Sequence, residues 1–545
     1  MYSPSMISKN LLPRLLLHLL VVIVPCIALG TPTDSTFNWS TLRDVRLGEN
    51  WLNSVNPAGL HAFGHGAESE IVLLGEGRYG GLKNYFSSKN ELAFGVEASS
   101  VARLSKLVVV DGKVGYRHTT ARALAASYFI NPMQTPFDLL EFTDENAGDK
   151  TLEELYLQGR VGVTPARCLS LGASMDYMAA SYSKQRDLRH VNSLMDLRLV
   201  VGGMVHLGER VDIGLNYVYW RRNETLLLST YGTQDKTFLS LLSYGAFFGK
   251  QETFGEIGYT KENENKPLFD SRHGANLQIA WRIGNVEWLN EVGFMLRSGY
   301  YGNPSHSTVV YSIHQGHDLS YRGLLTFATR CNAHRFGLRY AKEYVANTEN
   351  IYSYKNEEAG RDYIEYHGER EVGKRTRNSI TMEYIGRYAI KQGMARWEAI
   401  AEASFDNRTT RASNYPDYRR QNITWWRLKT MGTRNFLSSI NCYSLSVSAS
   451  YGGGSGQPCM DGRYGPTASG EALTRTRNDL LMQEWEFLAS TQLGAGIGFT
   501  YSRAMWKGKV RGNAGIAYHM CKALGTSHLD GTMRHTVSFR LGCNF

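Results

Sequence analysis

The chain has 545 residues, which as soluble domains of about 150 residues each would make three or four. Its composition argues otherwise: Gly is 55 and Pro 13 of the 545, aromatic residues reach 12% with 32 Tyr among them, and charged residues are only 20%. That is folded, strand-favouring sequence and not a linker-rich or disordered chain. Mean hydropathy is −0.33, and no apolar run of about 18 residues follows the N-terminus, which excludes a polytopic helical membrane protein. One large β-rich protein remains.

Residues 1–30 read as a secretory signal. Lys9 and Arg14 form the positive n-region, Leu15 to Val24 the apolar h-region, and Ala28-Leu29-Gly30 a small-x-small cleavage site. Pro25 stands where a lipidated Cys26 would need a small residue, so a lipoprotein anchor is not expected. Without Lys9 and Arg14 the 60 bases become 58 against 50 acids, a net of +8. These bases are scattered among acids, so nucleic acid is not an expected partner. Six cysteines remain of the 7, at 168, 331, 442, 459, 521 and 543, with no C-x-x-C pair and no zinc-like His spacing. Neither a disulfide framework nor a metal or other cofactor is expected.

Residues 31–69 precede the first strand and are expected to be periplasmic or lumenal. They hold Asn56-Pro57-Ala58-Gly59-Leu60, a turn-forming stretch, and His61 and His65. These two, like His306, His314 and His317 further on, read as solvated histidines and not as ligands. The segment is too short to be the globular plug of a TonB-dependent receptor.

From residue 70 to 545 the dominant signal is alternation with period two, as in strands with one apolar and one polar face. Strands are expected from near 70–79, 91–102 and 106–118 onward. At 169–177, Leu169, Leu171, Ala173, Met175 and Tyr177 alternate with Ser170, Gly172, Ser174 and Asp176. Segments 275–283, 395–405 and 493–501 repeat the pattern, the last setting Leu493, Ala495, Ile497, Phe499 and Tyr501 against Gln492, Gly494, Gly496, Gly498 and Thr500. Charge falls on the polar face, at Arg160, Asp196, Arg198, Arg282, Glu287, Glu291, Arg297, Arg335, Arg339, Glu383, Arg387, Arg396, Glu398 and Glu402. A charge facing lipid at the midplane would cost roughly 2 to 4 kcal/mol, so these side chains are expected to line a lumen.

Connections alternate between tight turns and longer polar loops. Turns are expected near 164–167, 208–210, 249–251, 284–285, 331–334, 391–393 and 432–435, and loops near 183–192, 223–236, 299–318, 346–376 and 452–484. Short turns on one side and long loops on the other suit an outer-membrane barrel. The expected fold is therefore an all-β transmembrane antiparallel barrel of 18–20 strands, even in number, spanning residues 70–545 in the cell outer membrane of a Gram-negative bacterium. Trp220, Trp288, Trp397, Trp425, Trp426 and Trp506 are candidates for its interfacial girdles.

The end of the chain, Val537, Phe539, Leu541, Cys543 and Phe545 in alternation with polar residues, resembles the terminal strand of bacterial outer-membrane barrels. That resemblance implies an assembly signal at Phe539, Leu541 and Phe545, with the barrel-assembly machinery and outer-membrane lipid as partners. The Asn56 to Leu60 stretch resembles one in the long-chain fatty acid transporter family, where the early segment lies in or near the lumen. The stretch from Asn38-Trp39-Ser40 to Leu60, Phe129-Ile130-Asn131-Pro132, and Arg186-Asp187-Leu188-Arg189-His190 with Asn192 resemble a group of uncharacterised Bacteroidota outer-membrane β-barrels, which implies fold and location and no activity.

No Ser/His/Asp set stands at a recognisable spacing, and Glu398 and Glu402 lie on one strand beside Arg396, so an enzyme is not expected. Opposed Arg and Glu on neighbouring strands form an ion-pair ladder in a wet or filled lumen. The same side chains would set the polarity of a channel. Two functions remain: a monomeric barrel that passes a small solute through a charged lumen, as an accessory to a neighbouring uptake receptor, or a closed structural barrel whose loops bind a surface partner or lipoprotein. For the second, the Tyr-rich loop 346–376, with Tyr352, Tyr354, Tyr363 and Tyr366, is the contact candidate.

Overall fold

Alternating segments of 12 to 30 residues would strand backbone donors and acceptors at an open sheet edge, at several kcal/mol each in hydrocarbon. Closure removes that edge. The computed structural model describes residues 38–64, 66–232, 236–255, 257–305, 308–356, 362–438, 440–466, 473–505 and 510–545. Residues 1–30, for which a secretory signal is expected, and His65, His306, Glu357, Glu358, Arg361 and Trp506 lie outside them.

The ring consists of β1 (Ala67–Tyr79), β2 (Asn90–Arg103), β3 (Val108–Leu124), β5 (Gly148–Ala166), β6 (Leu169–Lys184), β7 (Arg189–Leu207), β8 (Val211–Ser229), β11 (Lys266–Ile283) and β12 (Val286–Gly302). It continues through β13 (Val310–Ala328), β14 (Ala333–Asn356), β15 (Asp362–Lys391), β16 (Met394–Asn414), β17 (Asp417–Leu437), β18 (Asn441–Arg463), β20 (Thr491–Met505), β21 (Val510–Leu524) and β22 (Met533–Asn544). Each strand pairs antiparallel with its neighbour in this order. β22 returns to β1 from Glu70↔Asn544 to Tyr79↔His535, which closes an 18-stranded barrel. The backbones of Ser69 and Phe545 bond to each other at the seam, 2.9 and 3.3 Å.

Eight connections at one end are short, from 104–107 to 506–509, and the N-terminal segment enters there. The other end carries 125–147, 230–265 and 464–490. Two expected turns are not turns: residues 249–251 belong to an inner strand, and 432–435 lie within β17, which turns at 438–440 instead. The loop expected at 346–376 is mostly strand, the long hairpin of β14 and β15.

Outward positions are apolar right round the ring. Phe94, Val201, Leu215, Phe294, Met382, Val447, Ile497 and Phe539 are each 48–60% exposed, an apolar belt suited to acyl chains. Trp288, Trp397 and Trp426 are on this surface, 47%, 52% and 38% exposed. Trp220 and Trp425 turn inward. The Trp220 indole donates to Asp196 at 2.6 Å beneath the Arg272 guanidinium, and Arg377 lies 5.9 Å above Trp425.

The long-loop end holds a second sheet in the order β19–β10–β9–β4, built from β4 (Asp138–Glu141), β9 (Leu239–Ser243), β10 (Phe248–Thr253) and β19 (Thr474–Thr476). Its consecutive apolar pairs reflect burial on both faces. Leu139 and Leu242 pack with Tyr128, Phe129, Phe137, Tyr244 and Tyr301, whereas Leu140 and Leu241 pack with Tyr85, Phe247, Leu480 and Leu481. The last two belong to a helix in the same connection, labelled α2 below.

Candidate functional site

At the short-turn end, helix α1 (Leu42–Gly48) starts at a capping box: the Thr41 hydroxyl accepts from the Asp44 amide, and the Asp44 carboxylate accepts from the Thr41 amide. Leu42 and Val45 then pack on Leu60, Phe63, Val101 and Val109. Two 3-10 turns follow, Asn50–Asn53 and Pro57–Ala62, the second capped by the Asn56 side chain, which accepts from the Ala58 amide at 3.0 Å.

This segment touches strands all around the ring. Arg43 forms a fork with Glu398 on β16 (3.1 and 2.9 Å), Asp44 pairs with Arg387 on β15 at 3.0 Å, and Arg46 pairs with Asp111 on β3 at 3.0 Å. Asn50 accepts from Thr326 on β13 at 2.7 Å, and Ser54 donates to Glu291 on β12 at 2.7 Å. Asn56 donates to the Gly203 carbonyl on β7 and to Gln278 on β11, both at 3.0 Å. A chain that contacts so many sides of a closed ring runs through its interior. Residues 38–64 thus form a stopper inside the short-turn mouth.

The charged residues singled out from the sequence fall into two groups. Arg387, Glu398 and Glu291 grip the stopper side chains directly, while Arg160 pairs with Asp111 and reaches the Leu52 carbonyl, and Arg335 lies 3.5 Å from the Arg46 carbonyl. Arg282 pairs with Asp212 at 2.5 Å and lies 4.0 Å from Glu287, whose backbone carbonyl accepts from Asn50. The rest have other neighbours. Asp196 accepts from Trp220, Arg198 stands opposite Asp176, Arg339 opposite Arg322, and Glu383 opposite Glu402; Arg396 is exposed beside the 392–393 turn.

Other wall arginines clasp the inner sheet and its flanks. Arg297 and Arg375 donate to the Gln134 and Thr135 carbonyls at 3.1 and 2.8 Å, and Arg419 to the Ala246 carbonyl at 3.1 Å. Lys184 meets Glu141 of β4 at 2.6 and 2.7 Å. The two loop motifs quoted above meet here: Asn192 donates to the Tyr128 carbonyl and to Glu224, which also accepts from the Ile130 amide.

Helix α2 (Asn478–Ala489) docks through buried acids. Arg408 of β16 holds Glu484 at 3.0 and 2.6 Å, and Glu486 accepts from the Ser527, His528 and Leu529 amides. Burial pushes the Glu486 carboxyl up, but the His528 ring and these amides outweigh it and hold it down at about 2. The depressed value means that this docking is at full strength above the ordinary carboxylate range and is lost as pH falls through about 2. Glu486→Gln is expected to speed amide exchange at 527–529 by roughly tenfold, a loss of about 1.4 kcal/mol for a weakened charged acceptor, as read by mass spectrometry at neutral pH.

A chamber of about 530 Å³ lies against β1, β16–β18 and β20–β22, bounded also by the 80–89 connection and by Phe487 of α2. It exists because the inward residues there are small: Ser448, Ser450 and Gly452 on β18 line it, and on β20 a Cβ at Gly494 or Gly496 would come 2.2 or 2.6 Å from a β18 hydroxyl. Arg78, Lys83, Arg427, Lys429 and Arg534 line it, with Glu402 as the acid among the lining residues. Most are paired, Arg534 to Glu91 and Lys83 to Asp530 beyond the lining, and Lys429 to Glu402 within it. Arg427 instead faces Gln492 at 3.4 Å.

A profile of a family of unknown function, DUF6850, matches residues 57–545. The chain belongs to DUF6850. No curated sequence matches it. Solved structures similar to this DUF6850 chain include a mutant of the ferric enterobactin receptor PfeA of Pseudomonas aeruginosa, at 9% identity and TM-score 0.37, covering 88% of this chain and 81% of that one. Another is the ferric preacinetobactin receptor BauA of Acinetobacter baumannii, at 8% identity and TM-score 0.36, covering 88% and 80%. The CymD monoaromatic hydrocarbon channel matches at 10% identity and TM-score 0.29, covering 94% of each chain.

The DUF6850 match begins at Pro57, so α1 and Asn50 precede it. Within the matched region the fold brings together one set that sequence reasoning missed. His61 of the stopper stands with its ring centroid 4.6 Å from that of His206 on β7, and His206 Nδ1 is 2.6 Å from Asp212 on β8. Burial, with His206 beside it, lowers His61 to about 4, so its ring is neutral at pH 7. Only His61 carried a sequence signal, because residues 206 and 212 are joined to it by ring closure alone.

Proposed function

We propose that this chain is an outer-membrane barrel for passage of a small solute, closed at rest by its own N-terminal stopper and using the charged chamber as the way through. The observation that carries the reading is the chamber itself. A lumen meant only to be filled would be packed, yet here inward glycines and serines leave about 530 Å³ faced by cationic side chains. Arg427, whose neighbour is an amide and not an acid, is the cation a solute carboxylate or phosphate would meet. The stopper is held by ion pairs, side-chain hydrogen bonds and apolar packing of Trp51, Leu60 and Phe63 on the wall, none of which belongs to the strand pairing that closes the ring. Release by a neighbouring uptake receptor or lipoprotein fits this geometry.

Planar-bilayer recording tests it. The mature chain is expected to conduct weakly, and Arg387→Ala combined with Glu398→Ala, which frees Asp44 and Arg43, to raise the open fraction at least tenfold. Absence of any conductance from both that variant and a chain lacking residues 38–64 would refute passage.

One observation favours a second reading, a barrel whose loops hold a surface partner. Strands β14 and β15 run 24 and 30 residues, against roughly 9–11 needed to span a bilayer, so their hairpin stands well clear of the membrane. Ile351, Tyr354 and Tyr366 are 49%, 44% and 47% exposed on it. A stoichiometric partner retained by the full chain and lost on trimming this hairpin would support that reading.

A further inference from the structure

We propose that His61, His206 and Asp212 form a binding site for a divalent transition-metal ion that clips the stopper to the barrel wall. One ligand atom from each residue lies within 4.8 Å of the others, a spread that one ion of the zinc class can draw together, since its nitrogen and oxygen ligands sit about 2.0–2.2 Å from the metal. Two imidazoles and a carboxylate are a donor set for zinc, nickel, copper or ferrous iron and a poor one for calcium or magnesium.

The surroundings of the three side chains carry the argument beyond proximity. A metal-bound histidine almost always gives its other ring nitrogen to a protein acceptor, which fixes its tautomer and orientation. His61 has Nδ1 3.3 Å from the Ala58 carbonyl, leaving Nε2 for the ion. His206 has Nε2 2.9 Å from the buried Ser170 hydroxyl, leaving Nδ1, which already faces Asp212 Oδ1. Asp212 Oδ2 is held by Arg282 at 2.5 Å, which orients the carboxylate while Oδ1 remains toward the rings. All three donors therefore have outer partners on the protein. An ion pair between His206 and Asp212 alone would not call for a second imidazole from another part of the chain with its ring fixed the same way.

The position gives the ion a task. His206 and Asp212 flank the 208–210 turn at the short-turn mouth, and Ser170 follows the 167–168 turn. His61 and His206 are not fully buried, the His206 side chain being 13% exposed, so an ion can reach them. His61 lies near the end of the 3-10 turn whose N-cap Asn56 and whose Leu60 seat against β5, β7 and β11. With metal bound, the stopper gains a coordinate link to two wall strands in addition to its hydrogen bonds, and release of the stopper becomes dependent on metal.

The test uses the mature full chain in detergent, stripped with a chelator and titrated with Zn²⁺ by calorimetry and with Co²⁺ by its visible absorption. One ion per chain is expected. His61→Gln and His206→Ala should each abolish it or weaken it at least tenfold, Ser170→Ala should weaken it by roughly 10-fold to 100-fold as loss of an outer partner does, and His118→Ala, on β3, should leave it unchanged. Heat-modifiable gel mobility confirms that each variant has a closed barrel. A second readout is amide exchange over 57–62, which Zn²⁺ should slow at least tenfold in the parent chain and not in the His206→Ala chain. No stoichiometric ion in the parent, equal binding by both histidine variants, or exchange over 57–62 that ignores Zn²⁺ overturns the proposal.

Discussion

Gly172→Ala is expected to dislodge the stopper from an otherwise intact barrel. A Cβ at this inward position of β6 would lie 2.4 Å from the Ala58 amide nitrogen and 2.5 Å from the Pro57 carbonyl carbon. Both are backbone atoms of a 3-10 turn and cannot swing aside as a side-chain tip does. The turn must lift, and Asn56 then loses its bonds to the Gly203 carbonyl and Gln278. Overpacking of this kind costs about 1–3 kcal/mol, which at about 1.4 kcal/mol per decade multiplies the population of released stopper by roughly 5 to 150. Gly202→Ala should act alike, since its Cβ would come 2.3 Å from Asn56 Oδ1. Gly159→Ala is the control: it lies on β5 nearby, faces outward, and a Cβ there meets nothing within 4 Å. Amide exchange over 57–63 should accelerate in the first two and not in the third, with bilayer conductance rising in parallel. If Gly172→Ala leaves both unchanged, the stopper is not seated on β6.

The second large effect is expected at the other end. Arg408 and Glu484 are 6% and 3% exposed and meet through two short hydrogen bonds, with Gln421 accepting a third from Arg408 at 3.1 Å. Arg408→Ala leaves a buried carboxylate without its cation, a change that costs about 3–5 kcal/mol. That cost falls on the docking of α2 and, through Leu480 and Leu481, on one face of the inner sheet. The ring keeps its hydrogen bonds. Limited proteolysis should therefore cut within 478–489 at a rate raised at least a hundredfold while the barrel remains resistant. Arg408→Met with Glu484→Leu removes both charges and should recover most of the protection, because the penalty comes from the unpaired charge and not from loss of attraction. Equal sensitivity of the single and double variants would contradict this account.

How much of this was legible beforehand depends on the range of the interaction. Alternation at 169–177 and 493–501 identified β6 and β20 because side-chain direction in a strand is set by the pleat, residue by residue. The same local rule separated inward Arg160 and Glu398 from outward Leu171 and Ile497. It failed where local signals were ambiguous. Gly432 reads as a turn but lies inside β17, and 249–251 belong to β10 of the inner sheet. Helix α2 was hidden because its buried side includes Gln483, Glu484 and Glu486 as well as leucines, so no apolar stripe marks it. The inner sheet was hidden because Leu139-Leu140 and Leu241-Leu242 are buried on both faces and show no alternation.

The sequence by itself determined that the chain is a barrel whose strands carry one apolar and one polar face, since one residue's orientation dictates the next. Only the tertiary structure decided what the interior contains: Arg387 meeting Asp44, Arg408 meeting Glu484, His61 meeting His206 and Asp212, and a chamber left beside the small residues of β18 and β20. Arg387 and Asp44, and His61 and His206, are more than a hundred residues apart in the chain. Those meetings depend on how many strands close the ring and where its connections fold back, quantities that no local periodicity contains.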